Sequence, residues 1–165
     1  MKNTKSKSRK SKRRTKTSHP KADQLKLQID MIPQTSWGKN LRKVLSDSEW
    51  KQLREQTLSE FNYKCGICGA EERLQCDEVW EYDDRKHIQR LTGLRVLCSL
   101  CHHVKHIGKA GLLAEEGRLD YDKIVEHFMK VNCCDVDTFN EHAIRAAEIW
   151  ERRSKHEWEI DYGEF

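Results

Sequence analysis

The sequence contains no long apolar run, and only 36% of its 165 residues are hydrophobic. A helix needs about 20 consecutive apolar residues to span a bilayer, so we expect no transmembrane helix and no membrane partner. No apolar segment follows the basic residues at the N-terminus, which argues against a secretory signal peptide and favours a cytoplasmic location. The mean hydropathy of -0.91 predicts a small core, for which a bound metal ion would be a useful brace.

The first 21 residues lack any acidic side chain but contain ten lysines and arginines. Residues 22–165 carry 27 acidic and 21 basic side chains, a net charge of −6. Because residues 1–20 are almost devoid of apolar side chains, we expect them to form a disordered basic tail. Such a tail attracts the phosphate backbone of a nucleic acid through counterion release, and Lys12, Arg13 and Arg14 are its densest part.

Two other roles remain open for this tail. Lys12, Arg13 and Arg14 would also suit a nuclear-import signal, and a charged tail can simply improve solubility. The acidic body argues against a broad nucleic-acid surface, so any contact with nucleic acid there must be local. The same acidic surface could instead bind a basic surface on a protein partner.

The seven cysteines are an odd number, and without a secretion signal we interpret them as reduced thiols and metal ligands. Four of them form two Cys-x-x-Cys pairs separated by 29 residues: Cys65, Cys68, Cys98 and Cys101. Two thiolate pairs at this distance predict one tetrahedral structural Zn²⁺ site. A disulfide framework and free thiols are the alternatives, and the composition argues against both. Outside this set, we expect Cys133 and Cys134 to be small buried hydrophobic residues.

The remaining patterns predict an α+β protein with a tail at 1–20, a junction segment at 21–45 and a domain at 46–165. Ser46 and Glu49 have the spacing of a capping box, which predicts that the first helix begins there. Strand-forming residues at 79–82 and again at 88–97 predict a hairpin. After Cys101 we expect a helix of two to three turns that ends at Gly108.

Two further helices are predicted over 121–131 and 136–153. In the second, Ala143, Ala147 and Trp150 would lie near one face and form the core side, with Ile144 beside them. The chain order is therefore a zinc knuckle, a hairpin, a second knuckle and a helix. This is a ββα arrangement clasped by zinc, with flanking helices.

These residues resemble the HNH nuclease family, and they are most similar to a small bacterial and phage branch of it. The resemblance covers roughly residues 35–165. It is carried by both cysteine pairs, by Cys76-Asp77-Glu78-Val79-Trp80-Glu81-Tyr82-Asp83, and by the residues that follow Cys101 up to His106. It implies a treble-clef-like ββα-metal core, hydrolysis of DNA phosphodiester bonds by an endonuclease, and a bacterial or phage-infected cell.

In the family, a hairpin and a helix hold one divalent ion, and a histidine on the first strand takes a proton from water. His102 follows the last zinc cysteine, as the family's helix histidine does, and His106 lies four residues later on the same predicted face. The resemblance implies that both hold a catalytic Mg²⁺, Mn²⁺ or second Zn²⁺. His102 could instead cap or pack against a neighbouring element. Lys105 is a candidate contact for phosphate.

Two positions depart from the family pattern. Asp77 stands where the general-base histidine usually does, and an aspartate of ordinary pKa is a poor base near neutral pH. Burial could raise the pKa of Asp77, or Asp77 could be a metal ligand. Gly93 stands where many members have the asparagine that orients the histidine. His87, in the later part of the hairpin, could supply an imidazole from another direction.

Three functions are therefore open. The first is a metal-dependent endonuclease acting on DNA, impaired if Asp77 cannot replace the missing base. The second is a catalytically weakened scaffold that binds nucleic acid or a ribonucleoprotein through its basic tail. The third is a phage-type protein-interaction module that uses the acidic body.

Overall fold

The computed structural model describes residues 24–165. The predicted disordered tail, with Lys12, Arg13 and Arg14, lies outside these residues. Residues 24–165 form five α-helices and one three-stranded sheet, which confirms the α+β class. No helix in this part of the chain is both long and apolar enough to cross a bilayer.

The elements follow one another with short connections. The helices are α1 (Asp47–Glu60), α2 (Ser99–Lys105), α3 (Ile107–Glu115), α4 (Tyr121–Asn132) and α5 (Val136–Arg153). The strands are β1 (Leu74–Asp83), β2 (Ile88–Cys98) and β3 (Glu159–Asp161). Helix α1 begins with the predicted capping box, in which the Ser46 side chain and the Glu49 side chain each accept a hydrogen bond from the other residue's backbone N–H.

The sheet is a hairpin extended by one short strand. Strands β1 and β2 pair in antiparallel fashion with Asp77 opposite Arg95, and the register shifts between Val79 and Trp80. Strand β3 adds to β2 in parallel fashion, so residues near the C-terminus lie along the hairpin. Strand β2 passes directly into α2, because Cys98 is both its last residue and the N-cap of the helix. The observed order is therefore β1, β2, α2.

The helix after the second cysteine pair is shorter than the sequence predicts. Helix α2 ends at Lys105, and Gly108 lies inside α3 rather than at a helix end. The break is at His106, whose backbone angles of φ -102° and ψ 52° are not helical. The His106 N–H still donates to the His102 carbonyl at 3.1 Å, so the two residues stay close although the helix has ended.

Two apolar clusters hold these elements together. The larger cluster joins the N-terminal segment to helices α2–α5 and includes three of the predicted zinc ligands. Leu25, Leu27 and Ile29 alternate into this cluster, so the segment assigned to a junction contributes to the core. The smaller cluster, around Leu41, Trp80 and Leu91, covers the other part of the hairpin.

The buried face of α5 differs in part from the prediction. Its fully buried residues are Thr138, Phe139, His142 and Ala146, whereas Ile144 is 62% exposed and Ala147 is also exposed. The polar members are accommodated because they have partners: Thr138 binds Asp135, and His142 Nε2 accepts the Ile29 N–H at 2.9 Å. Ala143 and Trp150 are half-buried and pack against the two apolar clusters, as predicted, so the apolar pattern is wrong for Ala147 and misses the buried polar residues.

The two vicinal cysteines also differ from the prediction. Cys133 is exposed, because it ends α4 in the left-handed conformation with φ 51° and its side chain points away from the core. Cys134 is half-buried and packs at the edge of the larger apolar cluster. Neither residue lies with the four cysteines of the predicted zinc site.

Candidate metal centres

A tight turn after α1 presents the first cysteine pair to the second. The Cys65 N–H donates to the Ala70 carbonyl at 2.7 Å, and the Gly69 N–H donates to the Cys65 carbonyl at 2.9 Å. The Gly66 N–H reaches β2, where it donates to the Val96 carbonyl at 2.8 Å. The turn is thereby fixed to the strand that ends in Cys98.

The four predicted ligands converge on one point. The Sγ atoms of Cys65, Cys68, Cys98 and Cys101 all lie within 4.8 Å of one another, and those of Cys68 and Cys98 are 3.5 Å apart. Sulfurs bound tetrahedrally at 2.3 Å from an ion would be about 3.8 Å apart. Every cysteine among residues 24–165 is a free thiol, so the disulfide alternative is not what the structure contains. The cluster could therefore hold a metal ion.

The clustered thiols hydrogen-bond one another, and their pKa values shift in opposite directions: hydrogen bonds with Cys101 and Cys98 hold the pKa of Cys65 far below its ordinary value. The pKa of Cys101 is raised because its thiol hydrogen-bonds Cys65 and Cys98 and is buried. The pKa of Cys98 is likewise raised, to about 11. Four thiolates cannot coexist at such short distances without a positive charge between them, and a metal ion supplies that charge.

His127 is a neighbour of the cysteine cluster that the sequence does not reveal. Its Nε2 lies 3.1 Å from Cys101 Sγ, although His127 belongs to α4 and follows Cys101 by 26 residues. Burial lowers the pKa of His127, which favours the neutral ring with one N–H to donate. A hydrogen bond from imidazole to a ligating sulfur would orient that sulfur and stabilise its charge.

A second group of potential ligands lies at the junction of β1 and α2. Asp77 Oδ1 is 3.8 Å from His102 Nε2 and 3.3 Å from His106 Nε2, and all three atoms lie within 4.8 Å of one another. Ligand atoms about 2.1 Å from one ion lie about 3.0–3.4 Å apart. We call Asp77, His102 and His106 the Asp-His-His cluster. The structure brings together the three residues that the sequence singled out here.

The other carboxylate oxygen of Asp77 is already engaged. Asp77 Oδ2 accepts hydrogen bonds from Lys105 Nζ at 2.6 Å and from Arg95 Nε at 3.1 Å. Lys105 also donates to the Glu78 carbonyl at 2.7 Å, and its side chain is only 1% exposed. The prediction that Lys105 contacts phosphate is therefore wrong, because α2 directs this side chain into the protein to pair with Asp77.

The environment makes Asp77 a stable anion rather than a base. Burial opposes its ionisation, but the hydrogen bond from His106 and the charge of Lys105 outweigh burial, so the pKa of Asp77 lies well below its ordinary value. Burial alone would raise the pKa of Asp77, as the sequence suggested, but its hydrogen-bonded and charged partners lower it by more. Burial and the neighbouring His106 lower the pKa of His102 to about 4. At neutral pH His102 is therefore an uncharged imidazole, the form that binds metal.

His87 does not join this cluster. It precedes Ile88, which pairs with Asp83 at the far end of the hairpin. Asp83 lies six residues along β1 from Asp77, a span of roughly 20 Å. Its ring stacks on that of His156 with centroids 4.1 Å apart, and it meets Trp158 edge-on. The hairpin is too long for His87 to supply an imidazole beside Asp77, so that prediction is also wrong.

A groove of about 490 Å³ leads to the Asp-His-His cluster. Besides the cluster itself, three cations line it: Arg42, Arg54 and Lys109. The acid Glu78 lines it as well, so the groove combines three cations with two carboxylates and two imidazoles. Cys76 also lines the groove, and burial raises the pKa of its thiol.

Comparisons with known proteins yield no family-model match, no match among curated proteins and no match among solved structures.

Proposed function

We propose that this protein is a metal-dependent endonuclease of the HNH type that hydrolyses DNA phosphodiester bonds. The observation that carries the proposal is the convergence of Asp77 Oδ1, His102 Nε2 and His106 Nε2 at a strand–helix junction, in a groove whose lining includes three cations. Two of the four clustered cysteines, Cys98 and Cys101, lie at the start of the same helix. The cluster would hold a structural Zn²⁺, the usual ion for four thiolates. The core would then be a zinc-clasped ββα-metal unit.

Each residue of the Asp-His-His cluster has a role in this proposal. Asp77 Oδ1 and the two imidazoles hold a divalent ion, and two nitrogen donors favour Zn²⁺ over Mg²⁺ and Mn²⁺. The ion would stabilise negative charge on the scissile phosphate and on the departing oxygen. Lys105 and Arg95 fix the second oxygen of Asp77, so Oδ1 alone faces the imidazoles. Asp77 thus serves as a ligand, and the proposal does not assign it the proton of the attacking water.

A plasmid-nicking assay with Mg²⁺, Mn²⁺, Ni²⁺ and Zn²⁺ tests this function. We expect cleavage with at least one ion, and its loss in His102→Ala and in His106→Ala while the cysteine-bound zinc is retained. The matched control is His103→Ala, because His103 lies on the same helix but contacts Ser99 rather than Asp77. Absence of cleavage with every ion, or cleavage that survives His102→Ala, would contradict the proposal.

A second candidate is a catalytically weakened HNH scaffold that binds nucleic acid. The observation that favours it is the pairing of Asp77 with Lys105, because this buried ion pair stabilises the strand–helix junction without a catalytic ion. In addition, β1 carries Asp77 at the position where the HNH family has its general-base histidine. In this case the basic tail would provide most of the affinity, with the steep salt dependence of phosphate contacts.

Two measurements separate the candidates. Deletion of residues 1–20 should abolish salt-sensitive binding to a labelled duplex if the tail is the tether, and unchanged binding would reject that idea. A gain of cleavage when Asp77 on β1 is replaced by histidine would identify a weakened nuclease. Because Asp77→His alone would leave Lys105 buried without its carboxylate, the histidine is best combined with Lys105→Met.

A further inference from the structure

A second cleft, of about 550 Å³, lies between residues 26–31, the first cysteine turn and α5. It shares no lining residue with the groove beside the Asp-His-His cluster. Its volume is within the range of sites that bind small molecules, about 300–1,000 Å³. The proposed nuclease chemistry does not use this cleft.

The cleft concentrates positive charge on a body that is otherwise acidic. Four cations line it, against the single acid Asp30: Lys26, Arg95, Arg145 and Arg153. Arg153 is held by Asp84 and Arg95 uses Nε to bind Asp77, but Lys26 and Arg145 form no ion pair within residues 24–165. Cations that share one cleft create a positive potential that would attract an anionic ligand.

His142 supplies an independent observation. It lines the cleft and is only 8% exposed. Its Nε2 accepts the Ile29 N–H, so the ring proton of the neutral imidazole must be on Nδ1. That Nδ1 is buried and has no hydrogen-bond partner among residues 24–165. A buried donor without an acceptor is costly, and an oxygen-rich ligand at the cleft floor would remove the cost.

Apart from Gln28, the remaining lining is apolar, with Ile29, Ile67 and Ile149 among its members. The cleft therefore combines an apolar wall with guanidinium groups, which bind phosphate through two parallel hydrogen bonds. We propose that it binds a nucleotide phosphate, either of a free mononucleotide or of one unit in a nucleic-acid strand. Arg145 and Lys26 contact the phosphate, and the isoleucines pack against the nucleoside.

Fluorescence anisotropy with the full-length protein tests this site at about 150 mM salt, where weak surface contacts are screened. The probes are a fluorescent adenosine 5′-monophosphate and a labelled 12-nucleotide single strand. We expect Arg145→Glu and Lys26→Glu to weaken binding of at least one probe by about tenfold or more, since each removes a charge-assisted hydrogen bond. Arg152→Glu is the matched control, because Arg152 is exposed on the same helix and does not line the cleft.

The two probes distinguish the sources of phosphate. Mononucleotide binding that depends on Arg145 supports a free nucleotide, and binding of the strand alone with the same dependence supports a strand subsite. The proposal would be overturned if Arg145→Glu and Arg152→Glu lowered the affinity for the probes equally, or if neither substitution changed it. It would also be overturned if the protein bound an acidic peptide more tightly than both probes. The readout needs no cleavage, so its failure is separable from failure of the nuclease proposal.

Discussion

At the scale of single residues, the two oxygens of the Asp77 carboxylate have different neighbours. Oδ1 faces the imidazoles of His102 and His106, and Oδ2 accepts hydrogen bonds from Lys105 and Arg95. One oxygen is thus available to an ion while the other anchors the strand to the helix. The carboxylate therefore has a structural role whether or not the protein cleaves DNA.

We predict that Lys105→Met lowers the free energy of unfolding by about 3 kcal/mol, because removing one partner of a buried ion pair leaves the other charge uncompensated. Urea unfolding followed by circular dichroism measures the change. Adding Asp77→Asn to Lys105→Met should recover part of the loss, since the stranded charge is gone. Lys109→Met, at an exposed position, should change stability by less than about 0.5 kcal/mol. Equal effects at Lys105 and Lys109 would contradict the role of the pair.

A second prediction concerns the neighbour of the cysteine cluster. His127→Ala should speed the loss of zinc to a chelator by about tenfold or more, because hydrogen bonds to metal ligands commonly influence affinity by that amount. Release can be followed with a colorimetric zinc indicator. His103→Ala is the control, as His103 contacts a serine rather than a sulfur. Release at the wild-type rate in His127→Ala would show that the 3.1 Å contact has no effect on the ion.

Sequence reasoning locates the residues whose spacing is local. The paired cysteines and the four-residue interval from His102 to His106 lie in short motifs, and the structure brings each set together. It fails where the contacts of a residue depend on the direction of its side chain or on an element distant in sequence. The sequence predicts that Lys105 is an exposed cation, but its side chain faces the interior. His127 belongs to a helix that no motif connects to Cys101.

At the scale of elements, the turn that contains the first cysteine pair is tightly packed. A Cβ built on Gly66 would lie 2.6 Å from Cε1 of Phe61, closer than any real contact. The absence of a side chain there lets the turn approach α1 and donate its hydrogen bond to β2. Gly66 thus allows the first cysteine turn to lie close to both Phe61 and β2.

We predict that Gly66→Ala lowers the free energy of unfolding by about 1–3 kcal/mol, the usual range for overpacking, and weakens zinc retention as the turn moves. Thermal unfolding with parallel metal analysis measures both effects. Gly93→Ala provides the comparison, because an added methyl group there would meet nothing within 4 Å. A Gly66→Ala protein with normal stability and normal zinc content would mean that the turn can shift freely.

Element boundaries also show what local patterns miss. The capping box identifies the start of α1 because its partners are three residues apart. The end of α2 at His106 has no such signal, since it coincides with the approach of His106 to Asp77 on another element. Likewise, the buried side of α5 includes His142, whose partner is the backbone of Ile29 more than a hundred residues away.

At the scale of the whole molecule, the cysteine cluster is part of the core rather than an attachment to it. Cys65, Cys98 and Cys101 are buried within the larger apolar cluster, beside the N-terminal segment and α4. An ion at this point therefore connects parts of the chain that are remote in sequence. The structural binding energy of zinc, about 10–16 kcal/mol in small zinc domains, is comparable to the stability of an entire domain.

Removal of the metal should therefore unfold the core. We expect a strong chelator to abolish the cooperative thermal transition and Cys101→Ser to do the same, whereas Cys133→Ser should leave zinc content and melting temperature unchanged because Cys133 is exposed. Elemental analysis should find one tightly bound zinc per chain after mild chelation. A metal-free protein with an unchanged melting curve would contradict the zinc clasp and the proposals that depend on it.

The brevity of α2 has a further consequence. Seven residues are too few for a helix to be stable by itself in water. Helix α2 therefore depends on contacts at its two ends, which are the cysteine cluster at the N-terminal end and the Asp77–Lys105 ion pair at the C-terminal end. Oxidation of a single zinc thiolate to the sulfenic acid would release the first end. His102 would then lose its position beside Asp77, so under the proposed function oxidation of a sulfur would lower cleavage at a site whose own ligands contain no sulfur.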